Sequence, residues 1–212
     1  MILGIYGSNG SGREVMEIAR IQNVWEEIVF IDDFNESDGP VKKISFEHFK
    51  GIYTKDEARI VISLGETKDR EMLRKRVTDA GYSLGRVIHP SAYISPDAKT
   101  KDGLIARANV VVSCGAEIGE NVQLFECSTI GHDTVIGIDS IVSAKVSIGG
   151  NCEIGDGVYI GMSAAVKEKI RIGNHSTIGM STAVFKDVDE NLIVLGNPGR
   201  PMKANTDSRI FN

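Results

Sequence analysis

The chain is poor in the residues that most often announce a chemistry. Three cysteines, four histidines and one tryptophan occur among 212 residues, and aromatics make up 6 %. Cys114, Cys127 and Cys152 are odd in number and form no CxxC pair. That excludes a disulfide or zinc framework and points to a reducing, cytoplasmic setting. No apolar run reaches the length of about 18 that a membrane span needs, so no span is expected. The opening residues, MILGIYGSNG, lack the basic start of a signal peptide. A surplus of positive charge is missing too. The net charge is −5 with no basic stripe, which argues against nucleic acid as a partner. The 42 % hydrophobic and 25 % charged content is that of an ordinary globular protein.

What is abundant is order. Thirteen aliphatic residues recur every six positions from Val112 to Val184 without a miss. Neither a helix nor a simple strand has that period, and hexapeptide repeats read as a parallel β-helix. Glycine follows the aliphatic residue eight times, for example Gly119, Gly131, Gly149 and Gly161, and is expected to turn the corners. A small or branched residue such as Ser128, Thr134, Ser140 or Cys152 stands two places before it. Three hexads make one triangular coil, so residues 18 apart stack. Adjacent strands lie about 4.8 Å apart, which turns the repeat into a ruler. Ile88 and Ile94 already sit six apart, so the prism begins near residue 87. Residues 98–104 are expected to leave it as a loop.

The first 85 residues read differently. Apolar runs at 1–6, 27–31 and 60–64 predict strands, and residues 11–22 and 67–80 have helical spacing. Residues 34–43 read as a loop around Gly39 and Pro40. This is a small, mainly parallel α/β sheet, Rossmann-like, followed by an all-β left-handed parallel β-helix. The division expected is an α/β domain over 1–85, a β-helix over 86–202 and a tail over 203–212, with residues 204–212 disordered.

Gly7-Ser8-Asn9-Gly10-Ser11-Gly12 links the first strand to the first helix. Backbone N–H groups in such a loop, with the helix dipole behind them, suit an anion. The spacing is GxxGxG rather than GxGxxG, which disfavours a dinucleotide and leaves a nucleotide-sugar diphosphate. Asp32 and Asp33 end the second strand and Gly65 ends the third, on the sheet edge where ligands bind. A tight structural turn with two solvated aspartates is the competing reading.

Of the histidines, His48 reads as surface, His89 as structural before Pro90, and His175 as solvated. His132 stands two places after Ile130, beside Asp133. The ruler puts Cys114 one coil below it and Gly150 one coil above, which leaves room over the imidazole. Histidine titrates near neutrality and suits a general base.

The strings IYGSNGSG, IVFIDDF, VISLG, IHPSAYISPDA, TIGHDTVIG, IGDGVYIGMSAAV and LGNPGRP carry a resemblance. The chain resembles bacterial hexapeptide-repeat sugar O/N-acetyltransferases of the sialic-acid and bacillosamine type. The resemblance implies an acetyl-CoA-dependent transferase with no metal, working as a homotrimer with sites between subunits. His132 falls on the family's catalytic histidine. Asp133 falls on the acidic residue that tunes it, where the family commonly has Glu. Nucleotide-sugar contacts fall on Asn9, Gly10, Ser11, Asp32, Asp33 and Gly65. Ser11 departs from the usual His. Acetyl-CoA contacts fall on Ile141, Met162 and Met180, largely through backbone atoms.

The activity this implies is N-acetylation of an amino group on a nucleotide-linked deoxy-sugar, most simply a UDP-4-amino-sugar, by direct transfer. O-acetylation of sialic acid or a related sugar would use the same fold and histidine. A covalent acetyl-Cys114 is a second route. A three-histidine zinc site is disfavoured because His132 and His175 do not share a column. A non-catalytic scaffold would have no need of the glycine loop.

Overall fold

The computed structural model describes every residue except 36, 38, 39, 207, 208, 211 and 212. The expected loop residue Gly39 therefore lies outside the described residues. In the N-terminal part, β1 (Ile2–Tyr6), α1 (Gly10–Gln22), β2 (Glu27–Ile31), β3 (Lys43–Ile44), α2 (Phe46–Ile52), β4 (Ala58–Ile62), α3 (Thr67–Asp79) and β5 (Ser83–Leu84) follow in chain order. The five strands form one parallel sheet in the order β3-β2-β1-β4-β5. Strands β3 and β5 and helix α2 lie outside the strands and helices the sequence predicts. Their pattern is short, but Phe46 and Phe49 of α2 are fully buried against Tyr53 and Tyr82, and this aromatic cluster replaces periodicity as the organising force.

From Val87 to Val184 the chain winds through three parallel sheets. All thirteen repeat aliphatics are buried in one core. Strand pairing joins residues 18 apart, for example Val112 with Ile130 and Ile130 with Ile148. We number the faces by the strands at 123–124 (first face), 129–130 (second face) and 135–136 (third face).

Four expectations need correction. Residues 98–104 do not leave the prism. Lys99–Thr100 is a strand paired with Glu117–Ile118, and Ala106 is buried in the core. The six-residue count runs unbroken from Ile88 through Ile94, Thr100 and Ala106, with Thr and Ala at positions where an aliphatic search misses them. Second, the glycines after the aliphatic residue do not turn the corner by left-handed φ. The left-handed residue lies two places further on, at Asn121, Asp133, Asp139, Asn151 and His175 among others. Gly131 is required for a different reason: a Cβ there would stand 2.5 Å from the backbone of Gly149 and Gly150 in the next coil. Third, the end of the chain is not loose at 204–206. Arg200–Ala204 pairs antiparallel with Leu192–Leu195, and buried Asn205 donates to the His175 carbonyl at 3.0 Å. Residues 207, 208, 211 and 212 of that tail lie outside the described residues. The same contact makes His175 a half-buried corner residue rather than a solvated one.

The small residues two places before the aliphatics do more than fill volume. Thr134 donates to Gly149 O at 2.9 Å and accepts from Cys152 N at 3.1 Å, and Ser140 repeats this with Gly155 O and Val158 N. Each hydroxyl ties two coils together where a buried corner would leave backbone groups unpaired.

The α/β sheet docks on the first face. Arg70 is wholly buried and donates to Ile62 O, Asn121 O and Asn121 Oδ1. Arg74 holds Asp139 through Nε and NH2, both at 2.9 Å, and Gln123 Nε2 donates to Ile62 O at 2.8 Å. Burial pulls the Arg70 guanidinium down to about 9, with the Asp139 charge opposing, so it stays protonated at neutral pH.

Candidate active site

Two places concentrate functional groups. The first is a cleft of about 470 Å³ at the carboxyl edge of the parallel sheet, between the end of β2 and helix α3. Gly7 (φ +106°) leaves β1, and Gly12 lets α1 pack so closely that a Cβ would lie 1.9 Å from Gly7 O. Those two glycines serve the turn. Gly10 has open space around its Cα, so the fold does not demand a glycine there. Helix α1 starts without a side-chain cap and with no acid in its first turn, so its first N–H groups are left for an anion.

Of the expected substrate residues, Asn9, Asp32 and Asp33 line this cleft. Gly10 and Gly65 are exposed beside it. Ser11 turns away: its Oγ lies 2.8 Å from Ser63 Oγ and accepts from Arg107 NH2 at 2.8 Å. Arg107 reaches it from the prism, stacked 3.8 Å over the Phe125 ring and paired with Glu14 and Glu126. A hydroxyl so engaged is not free to replace a phosphate-binding histidine.

The aspartates differ. Asp32 accepts from Ser8 Oγ at 2.5 Å and from the N–H groups of Phe34 and Asn35 at 3.1 Å. Asp33 accepts from Tyr6 OH, from Phe46 N at 2.9 Å and from Arg76 NH1 at 2.6 Å. Burial pushes both carboxyls up, but these donors outweigh it and hold both below the usual range. The Tyr6 hydroxyl goes the opposite way, pushed up by burial and by the Asp33 carboxylate. Tyr6, Ser8, Met72 and Arg76 of the cleft were not anticipated. Asp69, Met72, Leu73 and Arg76 form an i, i+3, i+4, i+7 stripe on α3 that would have revealed this wall.

The second place is the corner between the second and third faces. His132 Nδ1 lies 2.8 Å from Asp133 Oδ2, and both side chains are more than half exposed, at 57 % and 60 %. Asp133 is the left-handed corner residue (φ 56°), and its N–H donates to Cys114 O at 2.9 Å. One coil below, Gly115 leaves room for the carboxylate, since a Cβ there would stand 2.3 Å from Asp133 Oδ1. One coil above, a Cβ on Gly150 would stand 2.4 Å from His132 Nε2. The imidazole is thus oriented at Nδ1, while Nε2 faces a position stripped of side chain. Cys114 is exposed at the same corner. Among the described residues no group of three or more His, Cys, Asp or Glu is placed to hold a metal.

The expected cofactor residues lie elsewhere. Ile141 is 1 % exposed on the first face, so its side chain reaches no groove. Met162 and Met180 are exposed and stacked by the ruler, as Ser181 N bonding Met162 O shows. They sit on the corner between the first and second faces, not on that of His132.

Residues 3–77 match the model of the PglD N-terminal domain family. The structure superposes on the acetyltransferase domain of PglB from Neisseria gonorrhoeae in complex with acetyl coenzyme A (TM-score 0.90, 26 % identity, 95 % of this chain and 98 % of that one). WeeI from Acinetobacter baumannii is as similar (TM-score 0.89, 27 % identity, 95 % and 100 %). A UDP-3-O-acylglucosamine N-acyltransferase of Caulobacter sp. is 34 % identical over 107 residues. The match takes in 49 % of this chain but only 32 % of that relative, so the chain spans about a third of its length. The chain is thus similar to sugar acyltransferases of the hexapeptide-repeat class in both of its halves. Among the described residues no helix is long and apolar enough to cross a membrane.

Proposed function

We propose that this chain is an acetyl-CoA-dependent N-acetyltransferase acting on the amino group of a nucleotide-linked amino-deoxy-sugar. The observation that carries the reading is His132: Nδ1 tied to Asp133 at 2.8 Å and Nε2 facing the bare Cα of Gly150. A scaffold has no use for an oriented imidazole with a clearing over it.

The sheet of residues 1–85 holds the nucleotide, its phosphates at the uncapped start of α1 beside Asn9 and Gly10. The prism of residues 86–202 holds the thioester. The sugar amine attacks the thioester carbon while His132 Nε2 takes its proton. Asp133 holds the tautomer that leaves Nε2 free and steadies the imidazolium that forms. The Gly150 N–H, in the coil above the imidazole, makes no hydrogen bond among the described residues, and in this reading it donates to the tetrahedral oxyanion. The C–S bond then breaks, and the CoA thiolate takes the proton back from His132.

The nucleotide cleft belongs to a unit docked on the first face, and His132 stands on the corner opposite that face. One chain cannot bring the two together. Neighbouring chains can, and a homotrimer would set Met162 and Met180 of one prism beside His132 of the next. The outer positions of the second face, Val111, Thr129, Ser147, Ala165 and Ala183, carry no charge and suit such a contact.

The test follows free-thiol release from acetyl-CoA with UDP-, dTDP- and GDP-linked amino sugars. His132→Ala should lower kcat by roughly 10²–10⁴ while nucleotide-sugar binding survives. Unchanged turnover would sink the assignment. Release with a hydroxyl acceptor only would move the reading to O-acetylation. A monomeric mass by light scattering would remove the shared site.

A further inference from the structure

We propose that the α3 cleft is a nucleobase clamp that selects a carbonyl next to a ring N–H, the edge shared by uracil, thymine and guanine, with Arg76 as the reading residue. This rests on the nucleotide-sugar reading above and adds the base class to it.

Two apolar side chains stand on opposite walls with little to cover them. Phe34, after β2, is 95 % exposed, and Met72 on α3 is 59 % exposed. Single exposed apolar residues are ordinary. Two that line one cleft, an aromatic face opposite a polarisable thioether, make a slot for a flat ring.

Arg76 sits further along the same helix face and is held on three sides. Its NH1 donates to Tyr6 OH at 2.7 Å and to Asp33 Oδ2 at 2.6 Å, and its guanidinium lies 5.1 Å over the Phe46 ring. The NH2 group comes only to 3.9 Å from Glu47, so it keeps donors for the cleft. A guanidinium has five N–H donors and no acceptor. It can meet a carbonyl oxygen and cannot meet an amino group. Asp33, locked beside it, is an acceptor and can meet a ring N–H. A donor and an acceptor side by side complement O4 and N3–H of uracil or thymine, and O6 and N1–H of guanine. Cytosine and adenine present an amino group and a bare ring nitrogen there, which sets donor against donor and lone pair against lone pair.

The fixed geometry matters. Arg76 and Asp33 restrain each other, with Tyr6 between them, so neither can swing to suit the wrong edge. A site whose polar groups are already oriented discriminates more sharply than one that adapts.

The test is calorimetric titration of the full chain with UDP, dTDP, GDP, CDP and ADP. The first three should bind about 10- to 100-fold more tightly than the last two, the range for one hydrogen bond to a charged group. Arg76→Ala should narrow the gap between the two groups at least about tenfold, the loss of one hydrogen bond to a charged group, with Asp33 keeping the remainder. Phe34→Ala, at a surface position that cannot disturb folding, should weaken all five alike and leave the ratios intact. Equal binding of UDP and CDP by the unaltered chain would overturn the base reading alone. No binding of any nucleoside diphosphate would overturn the nucleotide-sugar reading and this one with it.

Discussion

Gly150 lies over the imidazole of His132, so close that a Cβ on the glycine would stand 2.4 Å from Nε2. The backbone of Gly150 is not in the left-handed region, so alanine fits its conformation, and the nearest atoms its Cβ would meet belong to the exposed His132 ring. Gly150→Ala should therefore leave the melting temperature nearly unchanged while lowering kcat by about 10² or more through displacement of the His132 ring. Gly131→Ala, whose Cβ meets backbone at 2.5 Å, should do the reverse and lower stability by about 1–3 kcal/mol, the cost of overpacking a core. Paired melting curves and turnover numbers separate the two. Normal activity in Gly150→Ala would show that nothing docks over His132.

The join between the two halves depends on a buried ion pair. Arg74 meets Asp139 through two bonds of 2.9 Å, and Asn121 Nδ2 adds a third at 2.7 Å on the same carboxylate. Asp139 is 2 % exposed and sits at a left-handed corner. Arg74→Ala strands that charge, and removing one partner of a buried pair costs about 3–5 kcal/mol. The expected outcome is a lower denaturation midpoint and a protease-sensitive segment near residues 85–87. Arg74→Ala with Asp139→Asn should recover part of the loss, since an amide is far less costly to leave unpaired.

Acid sensitivity should trace to the cleft between β2 and α3. The Asp32 and Asp33 carboxyls are held below their ordinary range, burial opposing and hydrogen-bond donors prevailing. A depressed folded pKa means that the unfolded chain binds the proton first. The stabilisation is thus complete above about pH 4, the unfolded carboxyl value, and fades as pH falls through the folded values. Melting temperature should decline below about pH 4, and Asp33→Asn should flatten that decline while starting from lower stability at pH 7. An identical acid limb in the variant would place the sensitive groups elsewhere.

The prism was legible because its rule is short: one aliphatic position every six residues, all thirteen buried. It became illegible where Thr100 and Ala106 took that position, since a pattern search sees residue type and the coil needs only a side chain that fits. The His132–Asp133 pair and its clearing at Gly150 followed from the 18-residue ruler, a property of the backbone. The Ser11 contact did not, because Arg107 arrives from 96 residues away and no local pattern encodes it. The same holds for Arg76, which Tyr6 positions from 70 residues away. Local periodicity finds faces, whereas side-chain partners across the domain join are settled by packing.

The corner below His132 yields the last prediction, and it separates two mechanisms. Cys114 and Gly115 share that corner. The cysteine is exposed and offers its carbonyl to Asp133 N at 2.9 Å, while the glycine makes room for the Asp133 carboxylate. If transfer is direct, the thiol is idle and only the backbone of Cys114 matters. Cys114→Ser should then keep full kcat, and no acetyl-enzyme should be found by mass spectrometry after mixing with acetyl-CoA. Gly115→Ala sets a methyl 2.3 Å from Asp133 Oδ1 and should push the carboxylate off Nδ1. Losing the partner that orients the imidazole should remove a share of the roughly 10²–10⁴ that a general base supplies. The left-handed φ of +67° adds a strain of roughly 1 kcal/mol, which neighbouring corners already tolerate with Asn, Lys and Ser. A trapped acetyl-cysteine, or loss of activity in Cys114→Ser with Gly115→Ala unaffected, would reverse the order of importance and make the thiol the nucleophile.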